Sequence, residues 1–364
     1  MSSFWNQKTK ELKPYVAGEQ PADNVKVIKL NTNENPYPPS PKCEEVMKNF
    51  DLDSLRLYPN TDAQIIREAV AAKYDLKPSN VFVGNGSDEV LAICWQTLFE
   101  KERNTDKKVL APAISYSFYP VYSQNYDVAL EPVALREDMG VDVDAFVEKD
   151  ASLVAGIAIA NPNAPTSMAI TLDDIKRILE AHKDTVVLID EAYQAFGDEA
   201  SAATLVPYYK NLIVVQTTSK AYSLAGLRVG FAIANEELIE GLVRARDSFN
   251  SYPIDRLAQQ IAAASIRDEE YLIKTVDSIK KTREYTIEEL SKLGFTTKPS
   301  KANFIWTTTD KMDAGKLYTE LKNRNILVRH WNKEGISKYL RITIGTMEEM
   351  QALIAAIDLI LEEG

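Results

Sequence analysis

Three apolar runs, each followed closely by polar residues, recur along the middle of the chain. They cover Val154–Ala160, residues 186–189 and residues 212–215. Among the polar residues that follow, Asn161 lies 29 residues before Asp190, and Asp190 lies 30 residues before Lys220. Each interval has the length of one α/β unit, and the carboxyl ends of parallel strands meet at one edge of a sheet. The pattern predicts an α/β fold in which these three side chains converge.

Lys220 is the most informative of the three residues. It stands in the run Thr217-Thr218-Ser219-Lys220-Ala221, and Arg228 follows eight residues later, before a further apolar run. An isolated ammonium group between buried strands is costly, so such a lysine must be paired, neutralised or used covalently. A Schiff base with pyridoxal 5'-phosphate (PLP) meets that need, and Ser219 and Arg228 could hold the phosphate. A solvated loop lysine is the alternative for this run taken alone.

The polar residues after the other two strands suit the same chemistry. Asp190 could keep the pyridine nitrogen of PLP protonated, which makes the ring an electron sink. Tyr193 and Asn161 could hydrogen-bond the phenolic oxygen of the ring. Taken in isolation, Asp190 could equally cap a helix and Asn161 could occupy an ordinary turn.

A glycine-containing turn predicts an anion site. The sequence Gly84-Asn85-Gly86-Ser87-Asp88 follows an apolar run at residues 81–83 and precedes a helical apolar pattern at residues 90–99. Glycine lets a backbone approach an anion closely, and a helix amino terminus presents unpaired N–H groups. Many such turns are ordinary connections, and this turn alone would be weak evidence for an anion site. The neighbouring motifs strengthen the prediction.

Together these motifs resemble those of fold-type I PLP-dependent aminotransferases. The resemblance is carried by residues 217–221 with Gly226-Leu227-Arg228-Val229-Gly230, by residues 161–166 and by Asp190-Glu191-Ala192-Tyr193. More narrowly, the chain resembles the histidinol-phosphate aminotransferases through residues 30–36 (Leu-Asn-Thr-Asn-Glu-Asn-Pro), Tyr58-Pro59 and residues 340–346. The match runs in order from about residue 12 to the end of the chain.

The resemblance implies a role for each matching residue. Lys220 would bind PLP and shuttle the proton, Asp190 would pair with the pyridine nitrogen, and Tyr193 and Asn161 would contact the phenolic oxygen. Tyr116 would stack on the ring. The phosphate would lie among Ser87, Asp88, Ser219 and Arg228, with Tyr58 reaching it from the neighbouring subunit of a homodimer. The substrate would face Tyr15, Asn161, Arg329 and Arg341.

The implied reaction is transamination between histidinol phosphate and 2-oxoglutarate, giving imidazole acetol phosphate and glutamate. Three departures from the family pattern lie near the substrate side. Residues 164–167 are Ala-Pro-Thr-Ser where the family has Asn-Pro-Thr-Gly. Residues 252–257 carry a charged pair where the family commonly has small polar residues, and His330-Trp331 follows Arg329 where the family more often has Asp or Ser. An aromatic amino-acid aminotransferase on the same scaffold is therefore the main alternative. A PLP-dependent decarboxylase and a PLP-binding transcription regulator are weaker ones, and the regulator lacks room for a DNA-binding domain before residue 30.

Composition limits the classes of partner and site. A net charge of −11 over 364 residues disfavours nucleic acid. Cys43 and Cys94 have no metal or redox spacing and predict reduced thiols. The two histidines make a His-based metal site implausible, and the polar surroundings of His182 predict a surface position.

The chain shows no low-complexity tract or repeat. Residues 1–30 are predicted to form an amino-terminal arm that packs with the small domain and the partner subunit, residues 31–250 a large PLP-binding domain, and residues 251–364 a small α+β domain. The polar amino terminus lacks a secretion signal, and no apolar run approaches the ~18 residues that span a membrane. These features predict a cytoplasmic protein without membrane partners.

Overall fold

The computed structural model of the chain describes residues 3–15, 19, 27–101 and 103–363. Its helices are α1 (Gln7–Glu11), α2 (Pro41–Asn49), α3 (Gln64–Lys73), α4 (Gly86–Leu98), α5 (Tyr119–Tyr126), α6 (Val143–Val147), α7 (Leu172–Ala181), α8 (Glu236–Asp247), α9 (Arg256–Ile266), α10 (Glu269–Lys292), α11 (Ala314–Asn323) and α12 (Met347–Glu363). Its strands are β1 (Ile28–Lys29), β2 (Val81–Gly84), β3 (Lys108–Pro112), β4 (Leu130–Val133), β5 (Val154–Ala160), β6 (Val187–Asp190), β7 (Leu212–Thr217), β8 (Gly230–Ala234), β9 (Phe295–Thr297), β10 (Phe304–Thr309), β11 (Ile326–Leu327), β12 (Arg329–His330) and β13 (Leu340–Thr343).

A seven-stranded sheet forms the centre of the larger part of the molecule. Its strand order is β2-β8-β7-β6-β5-β3-β4, and β8 runs antiparallel to its neighbours β2 and β7 while the other neighbouring pairs are parallel. The three apolar runs of the sequence are the adjacent strands β5, β6 and β7. The predicted mostly parallel sheet is therefore confirmed, and the polar residues after these strands share one edge.

Helices cover both faces of this sheet, as its side-chain pattern requires. Along β5, Ile157 and Ile159 belong to one core while Ala158 and Ala160 belong to the other. The first core includes residues of α3, α6, α7 and α9, and the second includes residues of α4, α5 and α8. Successive side chains of a strand point to opposite faces, so a strand buried on both sides is apolar throughout. This arrangement leaves the strand ends as the place for polar chemistry.

A smaller antiparallel sheet, in the order β12-β13-β10-β9, lies in the carboxyl-terminal part with α10, α11 and α12. It has a core of its own that contains Ile279, Leu317, Ile342 and Leu353. The short β1 pairs in parallel with β11, which ties the amino-terminal part of the chain to this region. Helix α9 packs on α2 and α3, next to the large sheet. The division of the chain at residues 30 and 250 stays a prediction.

The predicted surface position of His182 is wrong. Its side chain is fully buried at the end of α7, and its Nε2 lies 2.8 Å from the carbonyl oxygen of Phe146 in α6. The charged residues that follow, Lys183 and Asp184, are exposed and gave the segment its polar character. A helix packed across the end of α7 cannot be seen in the local sequence.

In the part of the chain that the structure describes, no helix combines the length and the apolar character that crossing a membrane requires. The longest, α10, has 24 residues, and charged side chains recur along it.

Candidate active site

A cavity of about 720 Å³ opens at the carboxyl edge of the large sheet, between the sheet and the small antiparallel region. Most residues singled out in the sequence line it: Tyr15, Ser87, Asp88, Tyr116, Asp190, Tyr193, Ser219, Lys220, Arg228, Arg329 and Arg341. The expected convergence of Asp190 and Lys220 is therefore observed, since β6 and β7 are adjacent parallel strands.

One end of the cavity is built to hold an anion. Helix α4 begins at Gly86, whose φ of +81° is favourable only for glycine, and Ser87 and Asp88 lie in its first turn. A Cβ on Gly86 would come within 2.6 Å of Nη2 of Arg228, and one on Gly230 would come within 2.3 Å of the Ser87 nitrogen. The two glycines thus let a helix amino terminus and a guanidinium approach the same point, as a phosphate site requires.

The Asp88 carboxylate connects the anion end with the aromatic wall of the cavity. Nη2 of Arg228 lies 3.2 Å from one carboxylate oxygen, and the hydroxyl of Tyr116 donates to the other at 2.5 Å. Burial, with the adjacent Asp88 charge, raises the pKa of Tyr116 well above its usual value, so this phenol keeps its proton.

Lys220 lies just beyond β7, in a turn fixed by hydroxyl groups. Oγ1 of Thr217 accepts from the Ser219 N–H at 3.1 Å and donates to the Ser219 hydroxyl at 2.9 Å. The Lys220 ammonium donates to the carbonyl oxygen of Thr32 at 3.1 Å and lies 5.8 Å from the centre of the Tyr193 ring. The amine therefore stands in the cavity with a neutral acceptor as its hydrogen-bond partner.

Asp190 ends β6 and is 5% exposed. Its carboxylate accepts from the N–H of Ala192 at 3.2 Å and from the hydroxyl of Tyr119 at 3.3 Å. Burial raises its pKa to about 7, because these two hydrogen bonds only partly offset the loss of water around the charge. A cationic ring nitrogen placed against Asp190 would lower that pKa and favour the carboxylate.

The other end of the cavity holds two guanidinium groups beside aromatic rings. Cζ of Arg329 lies 5.1 Å and Cζ of Arg341 lies 5.2 Å from the centre of the Trp331 ring. Arg341 also lies 5.4 Å from the Phe304 ring, and its buried Nε has no hydrogen-bond partner. Burial lowers the pKa of Arg341, and the positive charge of Arg329 adds to this effect. Tyr15 enters from the amino-terminal part of the chain and stacks on the Phe118 ring at 4.3 Å.

Two sequence-predicted site residues do not line this cavity. The amide of Asn161 is paired with the backbone of Ile170, donating to its oxygen at 3.2 Å and accepting from its nitrogen at 2.9 Å. From the same loop, Ala164 and Pro165 line the cavity instead. Tyr58 is 76% exposed and stacks on Tyr252 with 4.6 Å between ring centres.

The structure adds a segment to which the sequence assigned no role. Residues 31–35 belong to the run that carries the narrower resemblance, and they contact three of the candidate residues. The Asn31 oxygen accepts from Nη2 of Arg341 at 2.8 Å, the Thr32 oxygen accepts from Lys220, and Nδ2 of Asn33 donates to the Tyr193 hydroxyl at 2.9 Å. Two of these contacts use main-chain oxygens, which carry no side-chain signal; only the asparagine-rich composition of the segment marked it.

These groups fit PLP. The glycine-lined helix end with Ser219 and Arg228 suits a dianionic phosphate, the buried Asp190 suits a protonated pyridine nitrogen, and the Lys220 amine stands between them on the same sheet edge. With PLP bound, the carboxylate of Asp190 would gain a cationic partner, and the glycines would leave room for the phosphate.

Comparison with known proteins places the chain in a family. The model of the family "Aminotransferase class I and II" matches residues 25–357. A histidinol-phosphate aminotransferase of Clostridium botulinum is 48% identical over 363 residues, which is 100% of both chains. The chain belongs to the class I and II aminotransferases and, among them, to the histidinol-phosphate aminotransferases. The family expected from the sequence motifs is confirmed.

Further relatives agree in sequence and in fold. A histidinol-phosphate aminotransferase of Chromohalobacter salexigens is 49% identical over 358 residues, or 98% of this chain and 99% of the relative. The crystal structure of a histidinol-phosphate aminotransferase from Sinorhizobium meliloti in complex with pyridoxal-5'-phosphate superimposes with a TM-score of 0.88 over 100% of this chain and 99% of that chain. Its sequence identity is 20%, so this likeness concerns the fold.

Proposed function

We propose that the protein is a PLP-dependent aminotransferase that converts histidinol phosphate and 2-oxoglutarate to imidazole acetol phosphate and glutamate, a step of histidine biosynthesis. One observation carries the proposal: a lysine, a buried carboxylate and an anion cradle line the same cavity as two guanidinium groups. The first three serve the cofactor, and the guanidinium groups serve an anionic substrate.

When bound, PLP supplies an electron-withdrawing ring that stabilises negative charge on the substrate carbon next to the amine. The amino terminus of α4, Ser219 and Arg228 would hold its phosphate. Asp190 holds the proton on the ring nitrogen, since a cation there compensates the burial of the carboxylate. The amine of Lys220 would move the proton from the substrate carbon to the aldehyde carbon of the cofactor in the first half-reaction, and in the opposite direction in the second.

The substrate end selects the donor by its charge. Arg329 and Arg341 bind the phosphate of histidinol phosphate in one half-reaction and a carboxylate of 2-oxoglutarate in the other, because the guanidinium fork suits both anions. The face of Trp331 packs against Arg341 without adding negative charge. Tyr15 closes the site from the arm.

Steady-state kinetics test the choice of donor. The ratio kcat/KM is measured with saturating 2-oxoglutarate and either histidinol phosphate or phenylalanine. A phosphate held by charge-assisted hydrogen bonds favours histidinol phosphate by at least about tenfold. An equal or higher ratio for phenylalanine would assign the protein to aromatic amino-acid transamination, for which the rings of Trp331 and Phe118 offer a surface.

We infer that the protein acts as a homodimer with Tyr58 reaching the phosphate of the partner site. An exposed apolar surface supports this proposal: Leu52, Leu55, Leu57, Tyr58, Phe249 and Tyr252 are all more than two-fifths exposed. Arg256 fixes the segment by donating to the oxygens of Leu57 and Tyr58 at 3.1 and 2.7 Å. Exposed apolar residues that cluster in this way are typical of an interface.

Mixed variants test the shared site. Lys220→Ala and Tyr58→Ala are each prepared separately and then mixed after mild dissociation. A shared site predicts that activity returns on mixing, since half of the sites in a hybrid dimer lack both substitutions. Failure to regain activity, or a monomeric mass in sedimentation of the unmodified protein, would contradict the proposal.

A further inference from the structure

Asn33 lies at the junction between the small antiparallel sheet and the candidate catalytic groups. Its side chain is 1% exposed, and its Nδ2 donates to the Tyr193 hydroxyl at 2.9 Å. Its φ of +57° lies in the left-handed region, which asparagine tolerates better than most residues. A buried asparagine in an uncommon backbone conformation, bonded to a candidate catalytic phenol, calls for a reason beyond packing.

Contacts from the small sheet fix the Asn33 amide. The Asn33 N–H donates to Oγ1 of Thr343 at 3.0 Å, and the Thr343 hydroxyl donates to Oδ1 of Asn33 at 3.1 Å. Nδ2 of Asn303 donates to the main-chain oxygen of Asn33 at 3.1 Å. Because the Thr343 hydroxyl gives its proton to Oδ1, the NH₂ group of Asn33 is left to face Tyr193.

This orientation decides where the Tyr193 proton points. An amide NH₂ group only donates, so the Tyr193 oxygen accepts from Asn33 and its own proton stays available on the cavity side. Tyr193 lines the cavity beside Lys220, and Phe304 meets its ring edge-on at 5.0 Å. The charged groups near Tyr193 are Lys220 and Arg341. The carboxylate of Glu34, which pairs with Lys29, faces Lys220.

The loop after β5 does not offer an equivalent donor. Its residues that line the cavity are Ala164 and Pro165, neither of which has a side-chain N–H or O–H group. The amide of Asn161 is engaged on both sides with Ile170. Of Tyr193 and the residues of this loop, the Tyr193 hydroxyl is thus the side-chain group at the cavity that is able to donate to the phenolic oxygen of PLP.

We propose that Asn33 is a positioning residue, which directs the Tyr193 hydroxyl proton to the phenolic oxygen of PLP and thereby sets the pH at which the Lys220–PLP linkage loses its proton. The inference rests on the proposed function. A hydrogen bond donated to that oxygen stabilises its negative charge, so the oxygen holds the neighbouring proton of the linkage less tightly and releases it at lower pH. Loss of Asn33 therefore raises the midpoint of this titration.

The test is a pH titration of the absorption band of bound PLP, without substrate, in five proteins: unmodified, Asn33→Gly, Asn33→Asp, Tyr193→Phe and Asn33→Gly with Tyr193→Phe. Glycine and aspartate both accept the left-handed backbone of residue 33. Glycine removes the donor, and aspartate keeps the size but offers only acceptors when it is ionised. Thermal unfolding of each cofactor-free variant records its folding independently.

Tyr193→Phe is expected to raise the midpoint by about one pH unit, the value of one hydrogen bond to a charged oxygen. Asn33→Gly is expected to raise it in the same direction by a smaller amount, and to add nothing when Tyr193→Phe is already present. An unchanged midpoint in Asn33→Gly would overturn the inference. A shift of equal size in the presence and in the absence of Tyr193 would also overturn it, because it would mean that Asn33 acts only through the fold.

The aspartate variant keeps the test decisive if the glycine variant does not fold. Asn33→Asp is expected to raise the midpoint more than Asn33→Gly does, since the carboxylate would accept a hydrogen bond from the Tyr193 hydroxyl and turn that proton away from PLP. No rise in Asn33→Asp would contradict the inference. A failure of the proposed function looks different. In that case the unmodified protein itself would show no PLP band, whereas a normal band with an indifferent Asn33 would refute only the positioning role.

Discussion

Arg228, at the cofactor end of the cavity beside Ser87 and Asp88, and Arg341, at the substrate end beside Trp331, are held in different ways. At the cofactor end, Arg228 lies 3.2 Å from the carboxylate of Asp88. At the substrate end, Arg341 lies over the face of Trp331 at 5.2 Å. An aromatic face holds a guanidinium without cancelling its charge, whereas a carboxylate competes with any anion that binds. A cofactor that stays bound through many turnovers can be held largely by N–H groups, whereas a substrate must be attracted again in every cycle. The difference between the two arginines suits these two roles.

The two ends also differ in how they are assembled. Asp190, Ser219 and Lys220 are placed by neighbouring strands of one sheet, so their positions follow from local chain geometry. The substrate end joins Tyr15, the segment at residues 31–35 and Arg341, and the hydrogen bond between Asn31 and Arg341 spans 310 positions in the chain. The cofactor end is therefore built on the large sheet, whereas the substrate end depends on how the small sheet packs against it.

The largest effect is expected from removing the lysine of the cofactor end. Lys220→Ala should reduce kcat for transamination by about 10⁴-fold, because no other group takes over the proton transfer. Steady-state kinetics with saturating PLP measure this. Lys301→Ala is the matched control, since Lys301 pairs with Asp198 away from this cavity. Near-normal turnover in Lys220→Ala would contradict the assignment of the cofactor end.

A second test concerns stability without cofactor. Burial raises the pKa of Asp190 to about 7, above the ~3.9 of an unfolded chain. The stabilising contribution of its protonated form is therefore complete below about pH 4, is lost as the pH rises to about 7, and stays lost above that. Asp190→Asn does not titrate, so it should be more stable than the cofactor-free protein by up to roughly 4 kcal/mol at pH 8 and by much less at pH 5.

Urea unfolding of the cofactor-free proteins at the two pH values measures the difference. Asp198→Asn serves as the control, because hydrogen bonds from Lys301 and Lys280 lower the pKa of the exposed Asp198 to about 2. That replacement should not stabilise the protein at either pH. A gain in the free energy of unfolding of Asp190→Asn that is the same at pH 5 and pH 8 would refute the conclusion that a carboxylate without a cationic partner is buried at the cofactor end.

The third prediction concerns the substrate end. Arg341→Gln should lower kcat/KM for histidinol phosphate by about 10- to 100-fold, the range for a hydrogen bond between charged groups in a buried site. Arg341→Lys should lose less, because it keeps the charge and loses only the fork. PLP affinity, measured by equilibrium dialysis, should not change in either variant. A parallel loss of PLP affinity would show that the two ends are not independent.

Much of the fold could be predicted because strong apolar patterns set it. Strand β5 covers the residues of the first apolar run, Val154–Ala160, and β7 begins with those of the third, residues 212–215. Side chains cap the amino termini of helices α7 and α11. Oγ1 of Thr171 accepts from the Asp174 N–H in α7, and Oδ1 of Asp313 accepts from the Lys316 N–H in α11. Where local preference and tertiary packing agree, the sequence is a sufficient guide.

The remaining features depend on contacts between distant segments. His182 is buried because α6 covers the end of α7, and the Asn161 amide turns toward Ile170 because that backbone needs a partner. The main-chain oxygens of Asn31 and Thr32 bind side chains of the site, and a main-chain oxygen has the same chemistry in every residue. The predicted roles of Asn161 and Tyr58 stay predictions, since neither side chain lines the cavity of its own chain.

A single half-reaction tests the central claim, that one end of the cavity holds PLP on Lys220 and the other selects a phosphorylated donor. The purified protein with bound PLP is mixed with histidinol phosphate or with phenylalanine, without 2-oxoglutarate, and the absorption band of the bound cofactor is followed. The account predicts rapid loss of the band with histidinol phosphate at a far lower concentration than with phenylalanine. A band that responds equally or better to phenylalanine, or no band at all, would contradict it.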